Sequence, residues 1–150
     1  MDLRPELLPP PADQQHLEHL SREIERISDL LATGRPADEA ITSFNSSTGH
    51  QYGRSDFAEY HGWRDLEDFA LEAARPAYPR VPDITRDELI ETVRRVLAAD
   101  SDSDYYLRLL QANVTYPGVH DLIYHPPPEL TEASPADIVD RALSHRSIAL

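Results

Sequence analysis

The stretch Asp121-Leu-Ile-Tyr-His-Pro126, followed eight residues later by Ser134-Pro-Ala-Asp-Ile-Val139, carries the strongest structural signal in this chain. The first motif places an aspartate and two aromatic rings on one short turn, and the run of prolines from Pro126 prevents its extension. A single turn cannot bury Tyr124 and His125 together with the leucine and isoleucine before them. Part of the ring surface is therefore expected to face outward, where tyrosine is a preferred anchor for a protein partner.

Capping signals outline three longer helices around this turn. Thr85-Arg-Asp-Glu88 is a capping box, and Ser134 with Pro135 and Asp137 forms a second one at the start of the last helix. Between them, a helix is predicted from about Asp104 to Asn113. Of the adjacent Tyr105 and Tyr106, one is expected in the core and the other at the surface, since neighbouring helical positions point about 100° apart. The residues predicted to face inward on the three helices are Leu89, Ile90, Val93, Val96, Leu97, Leu107, Leu109, Leu110, Ile138, Val139, Ala142 and Leu143.

The first half of the chain also has helical periodicity. Residues 1–12 carry four prolines and are predicted to form a disordered or extended lead-in. From Asp13, apolar residues recur every three or four positions until Gly34 supplies a stop. A short helix opened by Pro36 is predicted through about Phe44, then a loop over 45–54, a turn capped by Ser55 or Asp56, and a helix over 65–74. The apolar stripe of the first helix consists of Leu17, Leu20, Ile24, Ile27, Leu30 and Leu31.

The domain organisation follows from the three prolines Pro76, Pro79 and Pro82, which form a stiff connector. No segment shows convincing period-two alternation, and no Asn-Gly or Asp-Gly hairpin turn occurs, so the chain is predicted to be all-α. We expect a lead-in over 1–12, a helical N-terminal extension over 13–80, and a C-terminal helical domain over 81–150.

The composition favours a positively charged partner. The 150 residues include 27 acidic and 14 basic side chains, all of the latter arginine, for a net charge of −13. Such a chain is repelled by nucleic acid and by anionic membranes, so neither is an expected direct partner. The chain has no cysteine, which excludes disulfides and fits a reducing compartment. No run of 18 apolar residues and no standard signal sequence is present, so a cytoplasmic protein is expected.

From about Asp83 to Arg146, the order of these features resembles the immunity proteins that neutralise DNase-type colicins and pyocins. The signature of that family is Asp-Leu-Ile-Tyr-Tyr-Pro before a helix that begins with Ser-Pro, and here Asp121-Leu-Ile-Tyr-His-Pro126 precedes Ser134-Pro135. Members of the family are distorted four-helix bundles with long first, second and fourth helices and a very short third. The resemblance therefore implies such a bundle over 81–150, preceded by the helical extension.

The resemblance also implies a partner and a site. Family members bind a basic nuclease toxin domain beside its active site and keep DNA away. The aspartate and both aromatics of the short helix make contacts that most members share, and here they correspond to Asp121, Tyr124 and His125. His125 stands where a second tyrosine is usual, so its charge can change with pH. The second helix sets partner choice in the family, and its candidate contacts here are Asp102, Asp104, Tyr105, Arg108 and Gln111.

Other interpretations of these residues remain open. Asp121 also suits the N-cap of its short helix, and capping is compatible with partner contact. A helical module that binds another basic or nucleic-acid-handling partner through Trp63 and the first 80 residues is the main alternative. A small enzyme with its site around His50, Tyr52, His61 and Trp63 is a third. No phosphate-binding loop, nucleophile elbow or dense metal-ligand motif is visible, so no catalytic residue, metal or cofactor is expected.

Overall fold

The computed structural model describes residues 2–62, 65–99 and 102–144, and over these ranges the chain is all-helical, with no strand. The chain divides into two compact units, one made of residues 10–77 and the other of residues 1–9 with 78–150. Within the described residues no helix is long and apolar enough to cross a membrane. The α-helices are α1 (Gln14–Ala32), α2 (Asp38–Thr48), α3 (Arg54–Glu59), α4 (Leu66–Ala74), α5 (Arg86–Leu97), α6 (Ser103–Asn113), α7 (Val119–Tyr124) and α8 (Pro135–Ser144).

The N-terminal unit is built on the apolar stripe of α1. Leu20, Ile24 and Ile27 are buried, as the periodicity predicts, and α1 contacts α2, α3 and α4. The helix ends in a Schellman motif. Gly34 adopts a left-handed φ of 70°, and the amides of Gly34 and Arg35 donate to the carbonyls of Leu31 and Leu30. An aromatic cluster completes this core, with Phe57 at 5.3 Å from Phe44 and 5.4 Å from Phe69 between ring centroids.

Two boundaries in this unit differ from the sequence prediction. Helix α2 continues to Thr48 rather than ending near Phe44, and it ends where Gly49 adopts a left-handed φ of 77° as the C-cap. The N-cap of α3 is Gly53, not Ser55 or Asp56. Asp56 instead lies in the first turn, where its carboxylate accepts a hydrogen bond from the Gly53 amide at 2.8 Å.

The C-terminal unit contains α5 to α8, with three longer helices and the six-residue α7. Helix α5 contacts α6 and α8, and α7 contacts α6 and α8. Both predicted capping boxes are present. The Glu88 amide donates to the Thr85 hydroxyl at 3.1 Å while the Thr85 amide donates to Glu88, and Ser134 and Asp137 make the same reciprocal pair. These caps fix the starts of α5 and α8.

The first residues of the chain differ from the disordered or extended lead-in that their prolines predict. Pro5–Leu7 forms a 3-10 turn, and Leu3 and Leu7 are buried in the core of the C-terminal unit. Arg4 sits between two carboxylates, with its Nε donating to Glu88 Oε2 at 2.6 Å and its NH1 donating to Asp83 Oδ2 at 3.0 Å. Two apolar side chains and one cation thus tie residues 3–7 to the start of α5.

The Arg4 contacts predict a pH-dependent contribution to stability. Hydrogen bonds from Arg4 lower the pKa of Glu88 and the pKa of Asp83. A lowered pKa in the folded state stabilises the fold above the unfolded pKa, which is about 4 for these carboxyl groups, and this stabilisation is lost as the pH falls through the folded value. We expect Arg4→Gln to lower the melting temperature at neutral pH, and the difference from the parent chain to shrink as the pH falls below about 4.

The control for this measurement is Arg80→Gln, which removes the same charge from an exposed arginine of the same unit. Thermal unfolding of the three proteins at a series of pH values gives the comparison. A penalty for Arg4→Gln that stays constant across the acid range, or that equals the Arg80→Gln effect throughout, contradicts the assigned ion pair.

Candidate functional site

Helix α7 positions the Asp121 motif through the burial of its opposite side. It begins after Gly118, whose φ of 67° lies in the left-handed region that favours glycine, and the Asp121 amide donates to the Gly118 carbonyl at 2.8 Å. Val119, Leu122 and Ile123 are buried in the core of the unit. Their burial fixes the rotation of the short helix and leaves the remaining positions at the surface.

The surface of α7 carries all three residues that the motif singled out. Tyr124 is 53% exposed, and Asp121 and His125 are also exposed. Residues three and four apart share one face of a helix, so Asp121 lies on the same side as Tyr124 and His125. Among the described residues, neither the Tyr124 hydroxyl nor the His125 ring has a hydrogen-bond partner. We define the α7 face as Asp121, Tyr124 and His125.

Asp121 is not the N-cap of its helix, which corrects one sequence interpretation. Gly118 occupies that position and Asp121 lies in the first turn. Its carboxylate contacts His120 instead, with Nε2 at 3.2 Å from Oδ1, a contact that is an ion pair only when the histidine is protonated. Sequence reasoning overlooked His120. The sequence did contain a signal for His120. It lies four residues before Tyr124, and residues four apart share one face of a helix.

Helix α6 presents only part of its predicted contact set. Asp104 and Gln111 are exposed, and Asp102 and Arg108 are half-buried. Tyr105 is only 3% exposed, so its side chain is part of the interior and not of a surface. The Arg108 guanidinium lies over the Tyr105 ring, 5.8 Å from its centroid. Because α6 and α7 contact each other, the exposed residues of α6 belong to the same unit as the α7 face.

The prediction that one of the two adjacent tyrosines faces solvent is wrong. Tyr106 is buried as well, and its hydroxyl accepts a hydrogen bond from Arg95 NH1 at 2.8 Å. A polar partner lets a tyrosine enter the core without leaving its hydroxyl unsatisfied. Both tyrosines of α6 therefore lie in the core, whereas Tyr124 of α7 is exposed.

Local ion pairs neutralise much of the positive charge of the C-terminal unit. Arg86 pairs with Asp140 at 2.7 Å, and Arg141 pairs with Glu129 at 3.0 Å. Hydrogen bonding from Arg86 lowers the pKa of Asp140. The described ion-pair partner of Asp121, by contrast, is a histidine, which offsets the negative charge only when it is protonated. The α7 face therefore combines negative charge with an exposed ring.

The residues of the alternative enzyme site make structural contacts in the N-terminal unit. His50 is buried, and its Nε2 donates to the Arg75 carbonyl at 2.7 Å, since a carbonyl can only accept. The His50 ring stacks on Tyr52, whose hydroxyl donates to Glu72 at 2.7 Å. Trp63 lies outside the described residues. No group of three potential metal ligands occurs among the residues that the structure describes.

Residues 81–147 match the family model described as colicin immunity protein / pyocin immunity protein. The match confirms the resemblance drawn from the Asp121 and Ser134 motifs, and it covers slightly less than half of the chain. It includes α5 to α8 and the whole α7 face. No curated protein and no solved structure matched the chain.

Proposed function

We propose that this chain is an immunity protein that binds a basic nuclease toxin of the DNase type and blocks the access of DNA beside the toxin's active site. The observation that carries the proposal is the α7 face. Within the segment that matches the bacteriocin immunity family, it presents an exposed tyrosine next to an aspartate and a histidine. The protein's role is inhibition by binding, with no catalytic step of its own, in the cytoplasm of the producing cell.

The chemistry of the α7 face suits this kind of partner. DNA-binding enzymes carry basic surfaces, and an acidic protein is drawn to them by long-range attraction. Tyr124 supplies a large, rigid ring of the kind that dominates binding energy at protein interfaces. Asp121 adds a charge that pairs with an arginine or lysine of the toxin, and Asp104 and Gln111 on α6 extend the contact. The same negative charge repels DNA, which favours exclusion of the substrate.

The test is a comparative capture from lysate of the host cell. The parent chain and an Asp121→Ala, Tyr124→Ala double variant are used as baits, and bound proteins are identified by mass spectrometry. We expect the parent to recover a basic nuclease and the variant to lose it. Loss of a central tyrosine anchor weakens an interface by about 2 kcal/mol or more, roughly 30-fold. The captured enzyme is then assayed on DNA and on RNA with and without each bait.

A matched control keeps the result specific. The Tyr78→Ala, Glu132→Ala variant removes an exposed tyrosine and an exposed carboxylate elsewhere in the same unit, since Tyr78 is 73% exposed. It is expected to capture and inhibit like the parent. Equal capture by all three baits places the contact elsewhere, and a captured nuclease that cleaves only RNA contradicts the DNase assignment. Recovery of a basic protein without nuclease activity supports the alternative of a general interaction module.

A further inference from the structure

A second polar site lies in the N-terminal unit, outside the segment that matches the immunity family. It is a cleft of about 270 Å³ formed by α1, the Tyr60–Gly62 turn and the start of α4. This volume suits a small functional group rather than a nucleotide or a drug-sized ligand. The residues that line it are Glu25, Ser28, Asp29, Tyr60, His61 and Leu66.

Tyr60 is the unusual member of this cleft. Its side chain is 1% exposed and its ring packs at 5.5 Å from Phe69 and 3.9 Å from His61 between centroids. Its hydroxyl makes no hydrogen bond within the described residues. Tyr60 is among the residues that line the cleft, so a ligand in the cleft can supply the partner that the described residues do not.

Two carboxylates complete the chemistry. Glu25 and Asp29 lie one helical turn apart on α1, so both face the cleft that they line. Burial and the negative charges of Glu25 and Asp29 raise the pKa of Tyr60, so the hydroxyl stays protonated and neutral at physiological pH. Its oxygen lone pairs remain available to accept a hydrogen bond. Two anionic acceptors and one neutral acceptor around a small space define a site for a cation that carries several N–H donors.

We propose that this cleft binds the guanidinium or ammonium group of an organic cation, with Tyr60 and the two carboxylates as its hydrogen-bond acceptors. A guanidinium group fits well, because its five N–H donors can satisfy two carboxylates and the phenol at once. The group can come from a basic residue of a protein or from a free aliphatic diamine. This proposal does not depend on the proposed toxin partner, since every residue of the cleft lies in the other unit.

The experiment is a titration of the full chain followed by amide NMR shifts of residues 25, 29, 60 and 61. The probes are N-acetyl-arginine methylamide and 1,4-diaminobutane, at about pH 8, where an ordinary histidine is neutral. Tetramethylammonium chloride at the same ionic strength is the control cation, because it carries the charge without an N–H donor. We expect saturable shifts with one or both probes and none with tetramethylammonium. Saturation by the arginine derivative alone indicates a protein side chain as the source, and tighter binding of the diamine indicates a free polyamine.

Two variants make the result decisive. Tyr60→Phe should weaken binding roughly tenfold, the usual value of a hydrogen bond to a charged group. Its melting temperature should be unchanged or higher, because it removes a hydroxyl without a partner. Glu25→Gln with Asp29→Asn should abolish saturation, whereas Glu39→Gln with Asp68→Asn, the same charge change at exposed positions of the same unit, should not. Equal shifts with tetramethylammonium, unchanged affinity in Tyr60→Phe, or no saturable shift with either probe overturns the proposal.

Discussion

Replacing Leu7 with alanine is expected to destabilise the C-terminal unit by roughly 2–5 kcal/mol, the usual range for truncating a fully buried leucine. Leu7 has 0% exposure and belongs to the same buried cluster as Val93, Leu109 and Val139. The cost combines the lost transfer free energy of the side chain with the cavity that remains. Leu7 lies 79 positions before the start of α5 and outside the matched segment, yet its truncation should weaken the C-terminal unit itself.

Hydrogen exchange followed by mass spectrometry measures this effect in each unit separately. For Leu7→Ala we expect faster exchange in peptides from α5 and α8, and unchanged exchange in peptides from α1. The neighbouring Leu8 is 38% exposed and lies outside the buried cluster, so Leu8→Ala is a matched control with an expected effect within about 0.5 kcal/mol. Equal exchange in the two variants would show that residues 3–7 are not part of the core.

Local sequence signals predicted the C-terminal helices well. A capping box has a fixed spacing and reciprocal hydrogen bonds, so Thr85 and Ser134 mark helix starts without reference to the rest of the fold. The short α7 was also predictable, since the prolines after His125 forbid its continuation. The exposure of Tyr124 followed from the shortness of the turn, because one turn cannot bury Tyr124 and His125 together with Leu122 and Ile123, and the structure buries the latter two.

Long-range packing explains what the sequence did not reveal. Leu3 and Leu7 belong to the core because of residues more than 80 positions away, and four nearby prolines obscured that role. Apolar periodicity also predicted burial wrongly at the ends of two helices. Leu97 and Leu143 follow the apolar pattern of α5 and α8, yet both are exposed, because the last turn of a helix can extend beyond the surface against which the helix packs.

The candidate site shows the same division between local and long-range information. Asp121 and Tyr124 could be chosen from one motif, whereas the inward orientation of Tyr105 and Tyr106 depends on partners such as Arg95 and on the packing of α6. The contact between Asp121 and His120 is local. Asp121 lies in the first turn of α7, and not at its N-cap, because Gly118 takes the N-cap position. Residues of one local motif were thus easier to place than residues whose orientation depends on packing against distant parts of the chain.

Replacing Phe57 with alanine should destabilise the N-terminal unit by about 3–5 kcal/mol. Phe57 has 0% exposure and joins three aromatic rings, with centroids 5.3 Å from Phe44, 6.0 Å from Tyr52 and 5.4 Å from Phe69. It is one of two buried residues contributed by the short turn of α3 and Tyr60–Gly62, so truncation removes apolar area and edge-to-face contacts together. A short helix cannot recover this loss through its own hydrogen bonds.

Phe57→Leu is the graded control, since it keeps most of the buried volume and should cost distinctly less than the alanine variant. In hydrogen exchange, Phe57→Ala should speed exchange in peptides from α1 and α4 and leave α5 and α8 protected, because the two units have separate cores. Capture of the proposed nuclease should then persist, since the α7 face belongs to the unaffected unit. If Phe57→Ala loses both the protection of α1 and the capture of the nuclease, residues 10–77 take a direct part in binding. The immunity family model does not cover these residues.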